Sequence, residues 1–265
     1  MELLTKPIRL PSRSQWIHLT PLGDLHLGAA GCDEDALKAK IAEIAADPFH
    51  FTVLMGDMVD AVLPDDKRWD EKAVPKWLSR GTPAKDEFER VVELFKPIPP
   101  TQILGVLEGN HEITTRTRHY LDITLDLART LKCPYLGQEA IVRMLLRRST
   151  SVETFDLFVT HGSGGGRKPG AKINRVTDLS NFIDADIFMM GHVHEKTALK
   201  NVVLSMDHGG NLAKKERVYV LTGTYLKTYQ EGSNSYGARA LYAPTAIGAP
   251  TLHIKPDTRQ VEVTV

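Results

Sequence analysis

Polar residues of a few types recur wherever an apolar run stops: Asp24 and His26 in GDLHLG, Asp57 in GDMVD, Asn110 and His111 in EGNHE, His161 in THG, and His192 and His194 in GHVH. Carboxylate, carboxamide and imidazole groups are hard or borderline donors, the kind that hold divalent first-row cations. A hydrolytic site with two cations about 3.5–4 Å apart needs such donors for each ion and a carboxylate between them. This set supplies both. Taken alone, each residue reads as an ordinary surface or core side chain; their repetition in order points to metal chemistry. In DLH, read as extended, the carboxylate and imidazole two positions apart project to one side and can grip a single ion. GHVH repeats the device with two imidazoles. Gly56, Gly109 and Gly191 suit tight turns that present the following side chain at the mouth of a sheet.

The elements that must position these residues are legible in the apolar patterning. Strands are expected at 16–22, 51–55 and 101–107, each running into one of the first three motifs, and at 140–147, 154–160, 187–190, 198–205, 217–222 and 251–254. Helices are expected at 33–46, with Asp33 as N-cap, at 84–95, closed by Pro97, and at 117–131 and 173–183. A charged, Trp-containing stretch at 63–81 reads as a surface excursion. No repeat, low-complexity segment or linker divides the chain, so one domain spanning 1–265 is expected. The pattern is that of a layered α/β sandwich with polar loops at its strand ends.

Composition narrows the class further. Hydrophobic residues make up 42% and charged residues 25% of the 265, ordinary values for a chain with a full core. Lys plus Arg and Asp plus Glu balance at 33 each, so no overall field draws the protein onto duplex nucleic acid or an anionic membrane. Cys32 and Cys133 lack CxxC or related spacing and suggest neither a thiolate site nor a disulfide framework. No run approaches the roughly 18 apolar residues of a membrane span, nor does the N-terminus read as a signal peptide. A cytoplasmic location with no membrane partner is the expectation.

In content, order and spacing, DLH, GDMVD, GNHE, THG and GHVH resemble the five signature motifs of the calcineurin-like metallophosphoesterases, over about residues 16 to 225. The branch they look most like is that of the phosphodiesterases and DNA-repair exonucleases, catalytic core only. The resemblance implies a four-layer α-β-β-α sandwich with two central mixed β-sheets flanked by helices. It implies that Asp24, His26 and His194 hold one metal, that Asn110, His161 and His192 hold the other, and that Asp57 bridges them. His111 would face the substrate, stabilising transition-state charge or protonating the leaving oxygen; its alternative reading is a partner that orients a ligand. The implied reaction is in-line displacement at phosphorus by a metal-activated hydroxide. Manganese is the expected pair for activity in vitro, with iron, zinc, cobalt and nickel also suited to the donors.

Other residues carry weaker signals. Asp60 reads equally as a carboxylate that orients a ligand and as a solvated loop residue. His18 and His208 read as structural. HGSGGGRKPG at 161–170 lacks the GxxxxGK[ST] order, and no helix clearly follows at the required place, so it is not a nucleotide P-loop. Its Arg167 and Lys168 are nevertheless candidates to contact substrate phosphate. TTRTRHY at 114–120, read as a helix start, puts Arg116 and Arg118 forward for the same role, against an ordinary solvated face. Tyr225 and Lys227 are candidates to line the pocket, and the long segment 232–248 reads as a lid or a homo-oligomer contact.

Phosphodiesters of nucleotide or short single-stranded nucleic-acid type are the expected substrates. A phosphomonoesterase or protein phosphatase-like activity is the first alternative, and a metal-retaining non-catalytic scaffold or nucleotide sensor the second. The presence of every motif residue weighs against a scaffold that has lost catalysis.

Overall fold

The structure is a computed structural model that describes residues 1–64, 66, 69–70, 73–207, 209–229, 236–239 and 241–265. His208 and parts of the segments 63–81 and 232–248 therefore lie outside the described residues. Apolar residues on alternate positions of the strands face each other across two mixed sheets. The larger sheet contains β1 (Glu2–Arg9), β5 (Glu139–Arg148), β6 (Ser151–Thr160), β7 (Ile187–Met190), β8 (Lys196–Met206) and β9 (Leu212–Thr222), in the order β1-β5-β6-β7-β9-β8. The smaller contains β2 (Ile17–Leu22), β3 (His50–Leu54), β4 (Ile103–Val106), β10 (Thr251–Lys255) and β11 (Gln260–Thr264), in the order β11-β10-β2-β3-β4. Between them Leu19, Val53 and Leu104 of the smaller sheet pack with Val142, Leu157, Ile187 and Val220 of the larger.

Helices cover the outer faces. On the smaller sheet lie α1 (Glu34–Ala46), α2 (Pro83–Phe95) and α4 (Ile123–Leu131), packed through Leu37, Ile41, Val91, Phe95 and Leu127. On the larger lies α5 (Pro169–Asp178), whose Val176 meets Phe158, Phe188 and Tyr219. The α-β-β-α layering is thus the one the motif resemblance implies. No helix among the described residues is long and apolar enough to cross a membrane.

Three expectations about elements change. The helix expected at 117–131 is two helices, because Tyr120 takes a left-handed conformation (φ 56) at the end of α3 (Asn110–His119), and Asp122 then caps α4 by accepting Leu125 N–H at 2.9 Å. The helix expected at 173–183 starts earlier, at Pro169, whose fixed φ suits a first turn, and ends in a 3-10 turn at Leu179–Asn181. Strands β1 and β11 are not among the expected strands: both are edge strands, β1 largely exposed with its apolar alternation interrupted by Lys6, and β11 (QVEVT) alternating but with only Val261 fully buried. Asp33 caps α1 as expected, accepting Ala36 N–H at 3.1 Å.

Far from the motif loops, β2, β3 and β10 align His253, His18 and His50 side by side. His50 is buried and shares a 2.8 Å hydrogen bond with Thr20 Oγ1, and burial lowers its pKa to about 4. Only the unfolded chain takes up this proton between the ordinary value of about 6.5 and 4, so stability is lost as pH falls through that window and is unaffected above it. Melting temperature should drop across it, and His50→Gln, which retains a partner for Thr20, should flatten the slope; an unchanged slope would count against the assignment.

Candidate metal centre

Five strands of the sandwich end at one edge. β2, β3 and β4 run parallel in the smaller sheet, as do β6 and β7 in the larger. Asp24 and His26 follow β2, Asp57 follows β3, Asn110 opens α3 after β4, His161 follows β6, and His192 and His194 follow β7. The carboxyl ends of parallel strands are where open α/β sheets collect ligands.

The local backbone differs from the extended reading of DLH. Asp24 (φ 49), His26 (φ 50), Asp57 (φ 49), His192 (φ 68) and His194 (φ 50) all occupy the left-handed region. Each such non-glycine residue costs on the order of 1–3 kcal/mol and persists only where surrounding bonds over-determine it. Those bonds are present. Asp24 N donates to Gly56 O at 3.0 Å, Leu25 N and His26 N to Asp57 O at 2.8 and 3.1 Å, and Leu27 N to Met58 O at 3.2 Å. The Asp24 carbonyl accepts Thr224 Oγ1–H at 2.8 Å and Tyr225 N–H at 3.1 Å, so the turn after β9 fastens the first motif. The glycines act partly through close approach rather than through turns. A Cβ on Gly109 would fall 2.2 Å from both Asp57 N and Asp57 Oδ1. One on Gly56, itself at φ 86, would fall 2.7 Å from Gly109 N.

The donor atoms gather in two groups. In the first, Asp24 Oδ1 and His26 Nε2 lie 3.3 and 3.1 Å from His194 Nε2. In the second, Asn110 Oδ1 lies 3.1 Å from His161 Nε2 and 2.7 Å from His192 Nδ1. Asp57 Oδ2 stands between the groups, 3.4 Å from His161 Nε2 and 3.9 Å from His26 Nε2, while Asp57 Oδ1 accepts His111 N–H at 3.0 Å. Asp24, His26 and His194, and likewise Asp57, His161 and His192, offer ligand atoms within 4.8 Å of one another. This donor chemistry and spacing fit two cations.

Charge follows the same geometry. Burial opposes ionisation of Asp24 and Asp57, but the surrounding imidazoles outweigh it and hold both carboxyls below their ordinary range. Burial likewise opposes a charged His161, and the two carboxylates override it, lifting its pKa to about 10. A pocket in which carboxylates win against burial is one that attracts cations.

Around these donors lie groups that aim them. Asp60 Oδ1 faces His26 Nδ1 at 3.2 Å, and His161 Nδ1 donates to Met55 O at 2.8 Å, which leaves the opposite ring nitrogens for metal. His26, Asp60 and His111 also converge, but His111 Nδ1 donates to the Asp60 carbonyl oxygen. Glu112 has no role in the sequence reading beyond its place in GNHE. Fully buried at the N-terminus of α3, it accepts Asp57 N–H and Gly109 N–H at 3.0 Å each, Met58 N–H at 2.7 Å and Val59 N–H at 3.2 Å. Its role becomes legible only once α3 is known to begin at Asn110, seven residues before the expected start.

Several candidate substrate contacts are placed elsewhere. Tyr225 is 1% exposed, packed among Leu25, Leu27 and Leu37, so its ring belongs to the core. Lys227 pairs with Asp33 at 2.7 Å. Arg116 lies in the second half of α3 rather than at a helix start, and it is tied to Glu108 by bonds of 2.5 and 3.0 Å in a pocket shared with Glu2, Asp122 and Glu139. Acidic surroundings and a helix C-terminus both disfavour phosphate there. Arg118 is exposed on the same last turn. Arg167 and Lys168 are exposed on the loop after His161, and α5 begins directly after it, ahead of the start expected at 173. Arg175 of α5 fastens the loop through Ser163 O at 3.0 Å and Gly165 O at 3.0 Å.

No protein-family model and no curated protein sequence matches the chain. Distant likenesses occur among solved structures. A predicted phosphoesterase from Streptococcus pneumoniae is 10% identical over 91% of this chain and 83% of its own, with a TM-score of 0.38. A double mutant of Vps29 from Entamoeba histolytica is 9% identical over 94% and 98%, with a TM-score of 0.38. The nuclease MPE from Pseudomonas putida is 12% identical over 93% and 87%, with a TM-score of 0.33. Similarity at this level says nothing of activity, which has to be read from the chain's own residues.

Glu112→Gln exchanges a carboxylate oxygen for an amide nitrogen that cannot accept, at a cost of about 1–3 kcal/mol for each buried N–H left without a partner. Melting temperature should fall by roughly 2–4 °C per kcal/mol in a chain of this size. Metal analysis should show both ions bound less tightly, since Asp57 and Asn110 stand on the loops it joins. An unchanged melt would count against its role as the anchor.

Proposed function

We propose that the protein is a dinuclear metal-dependent phosphoesterase whose preferred substrates are phosphodiesters of nucleotide or short nucleic-acid type. The observation that carries this reading is the placement of Asp57 Oδ2 between two sets of nitrogen and oxygen donors, with His111 beside them but turned to the Asp60 carbonyl. Asp24, His26 and His194 would hold one cation and Asn110, His161 and His192 the other, with Asp57 shared. When bound, such a pair lowers the pKa of water toward neutrality and screens phosphoryl oxygens; the donors suit manganese, and also iron, zinc, cobalt or nickel.

The chain's own contribution is orientation and proton handling. A peptide carbonyl only accepts, so His111 carries its proton on Nδ1 and presents Nε2 outward. Protonated, Nε2–H can stabilise charge on the phosphoryl group or pass its proton to the departing alkoxide. In the metal-free centre burial opposes that charge, yet Asp57 and Asp60 prevail and raise the pKa of His111. Preference for a diester is supported by the engagement of Lys172 with Glu195 and of Arg175 with loop carbonyls, which leaves Arg167 and Lys168, exposed on the loop after His161, to meet a phosphate. A singly charged diester asks less of such groups than a dianionic monoester.

Hydrolysis should be assayed with Mn²⁺, Ni²⁺, Co²⁺ and Zn²⁺ on bis-p-nitrophenyl phosphate, p-nitrophenyl phosphate, cyclic nucleotides and single- and double-stranded nucleic acids. The expected result is metal-dependent turnover, faster on the diester than on the monoester. No turnover on any substrate with any metal would defeat the proposal.

Two substitutions separate the roles. Asp57→Asn should weaken both metal positions together. His111→Ala should leave metal content close to that of the parent and slow turnover by about 10²–10⁴-fold, the range of general acid–base catalysis. Equal loss of metal from the two variants would contradict the division.

A further inference from the structure

Glu87 lies outside all five motifs. It stands on the buried face of α2 with Pro83, Val91 and Leu94, and it is itself only 1% exposed. A carboxyl group on an apolar stripe must have a partner to offset its burial. Glu87 Oε2 accepts the Ala61 N–H at 3.0 Å. Its other oxygen occupies the space where a side chain on Gly28 would be, 1.9 Å from an ideal Cβ at that residue. Gly28 follows the first motif and Ala61 the second, and the two loops are themselves joined by Asp60 N–H to Leu27 O at 2.7 Å. The helix therefore touches both loops through one carboxyl group.

The Ala61 N–H and the Asp60 carbonyl belong to one peptide unit. The chain contains no cis peptide among its described residues, so N–H and C=O point in opposite directions across the plane. On one side of that plane Glu87 takes the N–H; on the other, the carbonyl takes the proton of His111 Nδ1. Ala61 sits at φ 49, a conformation that needs an external bond to hold it. We propose that Glu87 is a positioning residue for His111, acting through the Asp60–Ala61 peptide to fix which imidazole nitrogen bears the proton and which faces the substrate. Hydrogen bonds in series strengthen one another, so an acceptor on the N–H makes the carbonyl a better partner for the imidazole.

This inference rests on the phosphoesterase reading only for its kinetic readout. Glu87→Met conserves volume and removes the acceptor, whereas Glu87→Gln keeps an acceptor oxygen. For the Met variant kcat should fall by about 10–100-fold, the usual effect of losing a group that orients a functional residue. KM and bound metal should stay near parental values, and Glu87→Gln should stay within about threefold of the parent in kcat. At a pH high enough for His111 to be neutral, nitrogen-15 histidine spectra of the zinc-loaded and metal-free protein should show His111 in the Nδ1–H tautomer in the parent and in Glu87→Gln, and a mixture of tautomers in Glu87→Met. If Glu87→Met does not fold, Glu87→Leu, which likewise removes the acceptor and keeps the site apolar, carries the same expectations.

Parental turnover and tautomer in the acceptor-less variant would overturn the inference. So would loss of activity in step with loss of metal, which would show Glu87 serving the loops as a whole. Failure of the phosphoesterase reading has a different signature: no turnover in the parent either, with the His111 tautomer still responding to residue 87.

Discussion

The carboxylate of Glu112, which accepts backbone amides from Asp57, Met58, Val59 and Gly109, is the contact on which the metal centre depends. It joins the loop after β3 to the first turn of α3. Through that junction the Gly56 and Gly109 backbones approach so closely that neither tolerates a side chain, and Asp57 and Asn110 come within reach of the same imidazole, His161. Four buried N–H groups converging without an acceptor would instead leave the two loops apart, because each unpaired amide opposes their approach.

Bond by bond, the remaining loops are built onto this pair. The first motif lies against the second through Asp24, Leu25, His26 and Leu27 amides, and the turn after β9 grips Asp24 from the other side through Thr224. His192 N–H reaches across from the larger sheet to Asp24 Oδ2 at 2.9 Å. Strain is the counterpart of this order. Five of the candidate ligands hold left-handed backbone conformations, which a chain retains only where neighbouring bonds outweigh the local cost. Donors held this way need little reorganisation when a cation enters, and preorganised donors are the stronger ones.

Two buried carboxyl groups, Glu112 and Glu87, lie outside the candidate ligand groups and yet bond the backbone on which the candidate ligands and His111 stand. They differ in what they hold. Glu112 fixes ligand-bearing loops relative to one another, and Glu87 fixes one peptide plane behind one imidazole. Both reside on helices packed against the smaller sheet or leading from it. The helical layer thus does more than cover the sheet's apolar face.

The motif residues and the layered α/β class were readable in the sequence because both are local properties: donors with short fixed spacings, and apolar runs with a period of two. Strand β2 lies where alternation places it, β7 where an unbroken apolar run does, and Asp33 caps α1 as its type requires. The exposed edge strand β1 was not readable, since an edge that packs little carries little pattern, whereas the alternation of β11 is present but only five residues long. What only the tertiary structure decided is which polar groups oppose which. The left-handed turns at Asp24 and Asp57, the burial of Tyr225, the capture of Arg116 by Glu108, and the amides taken by Glu112 and Glu87 all depend on segments far apart in the chain. Such bonds arise from the meeting of two loops, and neither loop carries them alone. The ordered chemistry of the donors was therefore a property of the sequence, whereas their convergence on one pair of positions was a property of the packed sandwich.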